Sequence, residues 1–333
     1  MMDLKTHRKR NACALPPQVV QRINEAVGRN SMQMRLVRSE VIELRGADAL
    51  AFAHAQLMND VRVLSDGQWQ WSGWLTPKGR LVAFFAVVRV DAQTLLLWLP
   101  AGGAVALADR LKRFVFRSKV SIDPAGDWVP YGTFENPSMA GATSENDPAD
   151  GRGDAPAPST DREASTVILA FPSDADSGPR WLVIRRHAPG GMAPHLAAGG
   201  SGDFVRWLHA DLALGVPYIA ADSANSEQFV PQWLSLERLD AFNLRKGCYP
   251  GQEIVARMHF LGQSKRSAFR LKGVGSPPQV MARAVSAQGD AIGEIVWALA
   301  DEADAWRALS VLTSDKASSL SSVDGAGAAS LAD

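Results

Sequence analysis

The pattern of apolar and polar positions divides the chain into stretches of distinct character. Residues 35–44 (RLVRSEVIEL) are rich in Val, Ile and Leu and predict a strand. Gly46 breaks that run, and Ala47 to Met58 predicts a helix, with Leu50, Ala53, Leu57 and Val61 at the spacing of one buried face. His54 borders that face as a core or boundary histidine. Trp69 and Trp71 alternate with Gln68, Gln70 and Ser72, a strand signature, and Trp74 follows Gly73. Thr76-Pro77-Lys78-Gly79 reads as a turn. Leu81 to Val90 and Thr94 to Leu99 are apolar strands on either side of Asp91-Ala92-Gln93, hence a hairpin. Ala104 to Phe116 predicts an amphipathic helix whose stripe is Ala104, Leu107, Ala108, Leu111, Phe114 and Val115. Lys119 to Ile122 reads as a strand, and Val167 to Phe171 with Trp181 to Arg185 as a strand pair. Asp203 to Leu214 predicts a helix with Phe204, Trp207, Leu208 and Leu212 inward, stopped by Gly215.

The remaining stretches set the expected boundaries. Residues 1–30 lack strong periodicity and read as a loose leader. Residues 135–165 are rich in Pro, Gly, Ala, Ser and acid, and Glu135 to Ser165 contains no aromatic residue; such a segment cannot offset its ordering entropy by burial and reads as a disordered insertion. A long functional lid is the alternative. From Ser267 onward, Ala268–Val274, Val280–Ser286, Gly293–Leu299 and Trp306–Leu312 are short strands between Gly/Pro turns, a small all-β unit. The Ser/Ala/Gly tail from Thr313 reads as disordered. The expected division is a leader (1–30), a body (31–266) carrying the insertion, an all-β unit (267–312) and a tail (313–333).

Composition narrows the function classes. A chain of 333 residues corresponds to about two domains at roughly 100–200 residues each. Lys+Arg and Asp+Glu are both 35, and this zero net charge argues against nucleic-acid binding by bulk charge while leaving local patches open. The two cysteines, Cys13 and Cys248, exclude a disulfide framework and a four-cysteine metal or iron–sulfur site within one chain. No two of the six histidines fall in an HExxH pattern. The basic N-terminus is not followed by an apolar run of signal-peptide length, and the apolar run Leu81 to Val88 is too short to span a bilayer. A cytoplasmic protein without a membrane partner is expected.

The chemistry concentrates in Asn243 to Phe260, NLRKGCYPGQEIVARMHF. Cys248 follows Arg245 and Lys246, and neighbouring cations favour thiolate over thiol. Gly247 and Gly251 permit positive φ and close approach of a ligand to the backbone. Gln252 and Glu253 add an amide and a carboxylate, the latter suited to accept paired N–H donors from a flat heterocycle. A tight turn holding a buried cysteine as a small hydrophobe is the other reading.

KGCYPGQEIVAR resembles the KGC(Y/F)xGQE signature of the YgfZ-type folate-binding proteins, relatives of the glycine cleavage aminomethyltransferase. Other stretches are similar in order and spacing: Leu44 to Ala49 with Gln56 to Val61, Thr76 to Arg80, Arg117 to Val120, Gly215 to Pro217, Gln228 to Gln232, and Lys265-Arg266. Together they cover about Arg35 to Leu312 apart from the insertion. The resemblance implies an α+β fold, a multi-part T-protein-like body around a central cavity with a C-terminal β-barrel. It implies tetrahydrofolate or a derivative as cofactor, iron–sulfur enzymes or assembly proteins as partners, and an indirect link to tRNA through a thiomethylating client. The motif places Cys248 as the acting group with Lys246 as thiolate support, and Gln252 and Glu253 beside the folate. Pro250 stands where Thr is common, removing a hydroxyl and a backbone donor.

Trp207 matches an aromatic position suited to stack on a pterin, with helix-core packing as the alternative. Asn59 and Asp60 either face the cavity or cap a helix end. Lys78 and Arg80 are suited to a folate glutamate tail or an RNA phosphate, or are solvated turn charges. Arg117, Lys119, Arg257, Lys265 and Arg266 are candidates for a basic rim. No metal site is expected. Two other functions compete with the accessory role: an aminomethyltransferase passing a one-carbon unit to tetrahydrofolate, and a non-enzymatic RNA- or partner-binding module.

Overall fold

The structure, a computed structural model, describes residues 33–137, 166–173, 177–187, 201–262, 264–301 and 304–332. The expected leader and most of the insertion, from residue 138, lie outside the described residues.

The longest apolar run explains the first layer. Strands β1 (Met34–Arg35), β2 (Glu40–Arg45), β3 (Trp69–Leu75), β4 (Leu81–Asp91), β5 (Thr94–Leu99) and β6 (Ser121–Pro124) alternate with helices α1 (Ala49–Gln56) and α2 (Ala104–Lys112). Five of these strands make one antiparallel sheet in the order β3-β4-β5-β2-β6. Strand β4 is continuously apolar because both its faces are covered. Phe85 and Val87 lie beneath α1 and α2, packed with Phe52, Ala53, Leu107 and Leu111, whereas Phe84, Ala86 and Val88 face a second core. Helix α2 stops at Lys112 rather than at Phe116. Its last turn tightens, with the amide of Phe114 donating to the Leu111 carbonyl, and Phe114 and Phe116 are left at the surface.

Strands β7 (Trp128–Thr133), β8 (Thr166–Phe171) and β9 (Arg180–Arg186) join β1 in a second antiparallel sheet ordered β1-β7-β9-β8. The expected pair around residues 167–171 and 181–185 is β8 and β9. Strand β7 is not evident in the sequence because Pro130 and Gly132 read as breakers. Gly132 is there for space: a Cβ would sit 2.8 Å from the Trp207 ring. Helix α3 (Ser201–Leu214) ends, as expected, at Gly215 in the left-handed region. A fully buried ion pair ties this helix to the second sheet: Arg180 Nη2 donates to Asp211 Oδ1 at 2.7 Å, and Tyr218 donates its hydroxyl to the other carboxylate oxygen at 2.8 Å. Burial and the Asp211 charge push the Tyr218 hydroxyl well above its ordinary pKa, so it stays a donor.

After helix α4 (Gln252–Leu261) come β10 (Arg266–Val274), β11 (Arg283–Ser286), β12 (Ala291–Ala300), β13 (Ala305–Thr313), β14 (Leu320–Val323) and β15 (Gly327–Leu331). They close a barrel in the order β10-β13-β12-β11-β14-β15, with β15 returning to β10. This corrects the expectation of a disordered tail. The described residues after Thr313 supply two barrel strands. Their Ser/Ala/Gly composition hides them, because β15 is held by backbone ladders to β10 and β14 and buries little. The barrel is seated on the body by Trp297, which stacks on Tyr218 at 4.5 Å and donates its indole N–H to the Val216 carbonyl at 3.0 Å. Among the described residues no helix is long and apolar enough to cross a membrane.

Candidate functional site

The last turn of a helix leaves carbonyls without amide partners, and a buried cation can satisfy them. At the end of α1 that cation is Lys246. Its ammonium donates to the carbonyls of His54 and Leu57, and to that of Asn59 at 3.1 Å, so three N–H donors meet three acceptors. Burial lowers the Lys246 pKa to about 8, against the upward pull of Asp60. The Tyr249 ring lies 4.9 Å from the ammonium. With every donor engaged by the backbone, the thiolate-support role expected for Lys246 gives way to an anchoring one.

The rest of the loop is fixed by local geometry. Asn243 donates its amide to the Met58 carbonyl at 2.9 Å, and its side-chain oxygen accepts from the amides of Arg245 (2.7 Å) and Lys246 (3.2 Å), an Asx turn. Gln252 Nε2 donates back to the Lys246 carbonyl at 3.2 Å. Gly251, at φ +79°, lies against the Thr76–Gly79 turn so closely that a Cβ would stand 2.5 Å from the Thr76 carbonyl oxygen. Gly79 takes φ +71° across from it. Two turns far apart in sequence therefore meet backbone to backbone, which only glycine permits.

This clamped loop turns Tyr249 inward and leaves Cys248 exposed. Burial raises the Tyr249 pKa. The alternative of a buried structural cysteine is thereby overturned.

Asn59 sits under the loop with its side chain fully used. Nδ2 donates to the carbonyls of Trp71 (2.9 Å) and Asp240 (2.6 Å), and Oδ1 accepts from the Asp60 amide (2.9 Å). Asp60 accepts from the Arg62 amide at 3.1 Å, capping a short 3-10 turn, and lies 3.0 Å from His54 Nδ1 without hydrogen-bond alignment. Burial pushes the Asp60 carboxyl up, but Arg62 and His54 outweigh it and hold it below the usual range. Burial and the Lys246 charge lower the His54 pKa, against the pull of Asp60.

The structure thus brings Asn59, Asp60, Lys246 and Gln252 together, with Cys248 exposed two residues beyond Lys246 on the same loop. Glu253 is beside them in sequence but projects from α4 into solvent, 83% exposed and paired with Arg257 at 3.1 Å. Trp207 is 1% exposed and belongs to another group. It stacks on Phe171 at 5.9 Å beneath the Arg180 guanidinium, and Phe171 also contacts Trp69, Trp71 and Trp98. The indole N–H groups of Trp69, Trp71, Trp98 and Trp207 are all buried without an acceptor. Both Tyr249 and these four indoles belong to one core. Sequence reasoning missed Asn243 and the pairing of Gly79 with Gly251; the signal available was an Asn three residues before the motif Lys.

A hollow of about 610 Å³ opens beside the Thr76–Gly79 turn, lined by Thr76, Pro77, Lys78, Arg80, Arg110, Glu227 and Gln228.

No family model matches the chain. The glycine cleavage system aminomethyltransferase T from Bartonella henselae superposes with a TM-score of 0.60 over 94% of this chain and 88% of that one, at 16% identity. That defines the class, a T-protein-like fold with a C-terminal barrel. The tRNA-modifying protein YgfZ of Sodalis glossinidius is 30% identical over 242 residues, 72% of this chain and 70% of the relative. YgfZ of Escherichia coli O157:H7 is 29% identical over 237 residues, 70% and 69% of the two chains. An uncharacterized protein of Haemophilus influenzae is 27% identical over 243 residues, 73% and 74%. The chain belongs to the YgfZ family.

Proposed function

We propose that the protein is a tetrahydrofolate-binding accessory factor in tRNA modification, serving the making or repair of iron–sulfur enzymes that include a tRNA-thiomethylating one. The observation that carries this reading is the clamped loop, which holds one thiol outward at Cys248 while Tyr249 enters the core that contains the orphaned indole donors of Trp69, Trp71, Trp98 and Trp207. A thiol on a rigid exposed turn is suited to transient contact with a client protein. With only two cysteines the chain cannot hold a cluster by cysteine ligation alone.

The unpaired indole donors are the feature that favours a folate. A reduced pterin has a flat face for aromatic packing and carbonyl and ring-nitrogen acceptors for buried N–H groups that otherwise lack partners. The cofactor, when bound, carries a one-carbon unit. Lys246, Asn59 and Gln252 act as positioning residues that keep the cysteine turn in register with α1. Asp60, whose charge acts on Lys246, is the carboxylate at the loop suited to orient a heterocycle, whereas Glu253 faces solvent. An exposed thiol suits a reducing compartment such as the cytoplasm.

Titrating the full chain with tetrahydrofolate while following tryptophan emission tests the ligand. Saturable quenching, weakened in Trp207→Phe, is expected. Unchanged emission together with no heat of binding by calorimetry would remove folate from the account.

A further inference from the structure

Beyond Lys112 the chain runs Arg113-Phe114-Val115-Phe116-Arg117 along the surface. Phe116 is 84% exposed and Phe114 38%, although rings of this size are usually covered. Arg113 and Arg117 are exposed and form no ion pair among the described residues. Phe114 rests edge-on against Trp74 at 5.6 Å, and Arg110 lies over that same indole at 5.5 Å. Arg110 also lines the hollow that contains Lys78 and Arg80, where Glu227 pairs with Arg110 and leaves the other two cations uncompensated. Exposed rings and cations are therefore linked along the chain from Phe116 to Phe114, through Trp74 to Arg110, and across the hollow to Lys78 and Arg80, on a chain of zero net charge.

We propose that this strip binds a single-stranded segment of RNA, with phosphates at Arg113, Arg117, Lys78 and Arg80 and an unstacked base on Phe116. The inference rests on the reading that the chain serves tRNA modification, and it makes the RNA contact direct. Interleaved cations and exposed rings suit a strand whose phosphates and flat bases alternate. A protein interface would call for a contiguous apolar centre, and here two phenylalanines are separated by a half-buried Val115 and flanked by arginines.

Fluorescence anisotropy of the full chain with a labelled RNA hairpin carrying a single-stranded loop, and with a fully paired duplex of equal length, tests the proposal. The hairpin should bind more tightly than the duplex. Phe116→Ala should weaken hairpin binding by about 5- to 100-fold, the range of one lost base stack. Arg113→Glu with Arg117→Glu should weaken it and flatten its salt dependence. Because these side chains are exposed, the thermal midpoint of each variant should match wild type. Equal affinity of wild type and Phe116→Ala, equal binding of hairpin and duplex, or no RNA binding would overturn the proposal. So would a Phe116→Ala effect confined to self-association or to a protein partner. Tetrahydrofolate titration in parallel separates the two claims: folate binding without RNA binding removes only this surface, and RNA binding without folate removes only the ligand.

Discussion

Lys246 meets the strictest local requirement in the site, because removing its ammonium strands three carbonyls at once. Lys246→Met should lower unfolding free energy by about 2–4 kcal/mol in urea titrations, the scale of buried polar groups left unpaired. The group also titrates differently in the two states. Burial holds the folded pKa at about 8, whereas the unfolded chain keeps the ordinary, higher lysine value. Between those values the unfolded chain binds more protons, so this residue makes stability rise with pH above about 8. The deficit of Lys246→Met relative to wild type should therefore widen between pH 8 and 10, and a constant deficit would mean the amine titrates normally. Cys248, exposed and outside this bonding, should tolerate Ser with no change in unfolding midpoint.

At the level of elements, the site depends on two turns that pass without side chains between them. Gly251→Ala adds a Cβ 2.5 Å from the Thr76 carbonyl oxygen at a positive φ, and should cost about 2–4 kcal/mol. The same substitution at Gly247, whose Cβ would meet nothing nearer than His54 Nε2 at 3.6 Å, should cost far less. Comparing the two by thermal melting checks the contact. Most elements were legible because they carry strong local signals: the β4–β5 hairpin brackets polar residues with long apolar runs, and α3 ends at a glycine. The short ones were not. Strand β7 contains a proline and a glycine, and the end of α2 depends on tertiary packing that leaves Phe116 outside. In the site, Cys248 and its glycines stood out, whereas the anchoring role of Lys246 depends on carbonyls roughly 190 positions away in sequence, which no local pattern encodes.

Across the whole molecule, the barrel and the body act as one unit through Trp297, Asn225 and the buried Arg180–Asp211 pair within the body. Ending the chain at Ser319 removes β14 and β15 and opens the barrel at β10. Leu271 to Gly273 pair with β15, so those of their amides that point to it, alternate ones along the strand, should then exchange faster and the thermal midpoint should fall; unchanged exchange would mean the last strands add nothing. The central claim, that a clamped loop presents Cys248 for a role in tRNA modification, is tested most directly in cells lacking their own YgfZ. Thiomethylated tRNA is measured after complementation with wild type or with Cys248→Ser at matched protein levels. Restoration by wild type and loss of most of it with the Ser variant is the expected result, and full restoration by Cys248→Ser would contradict the account.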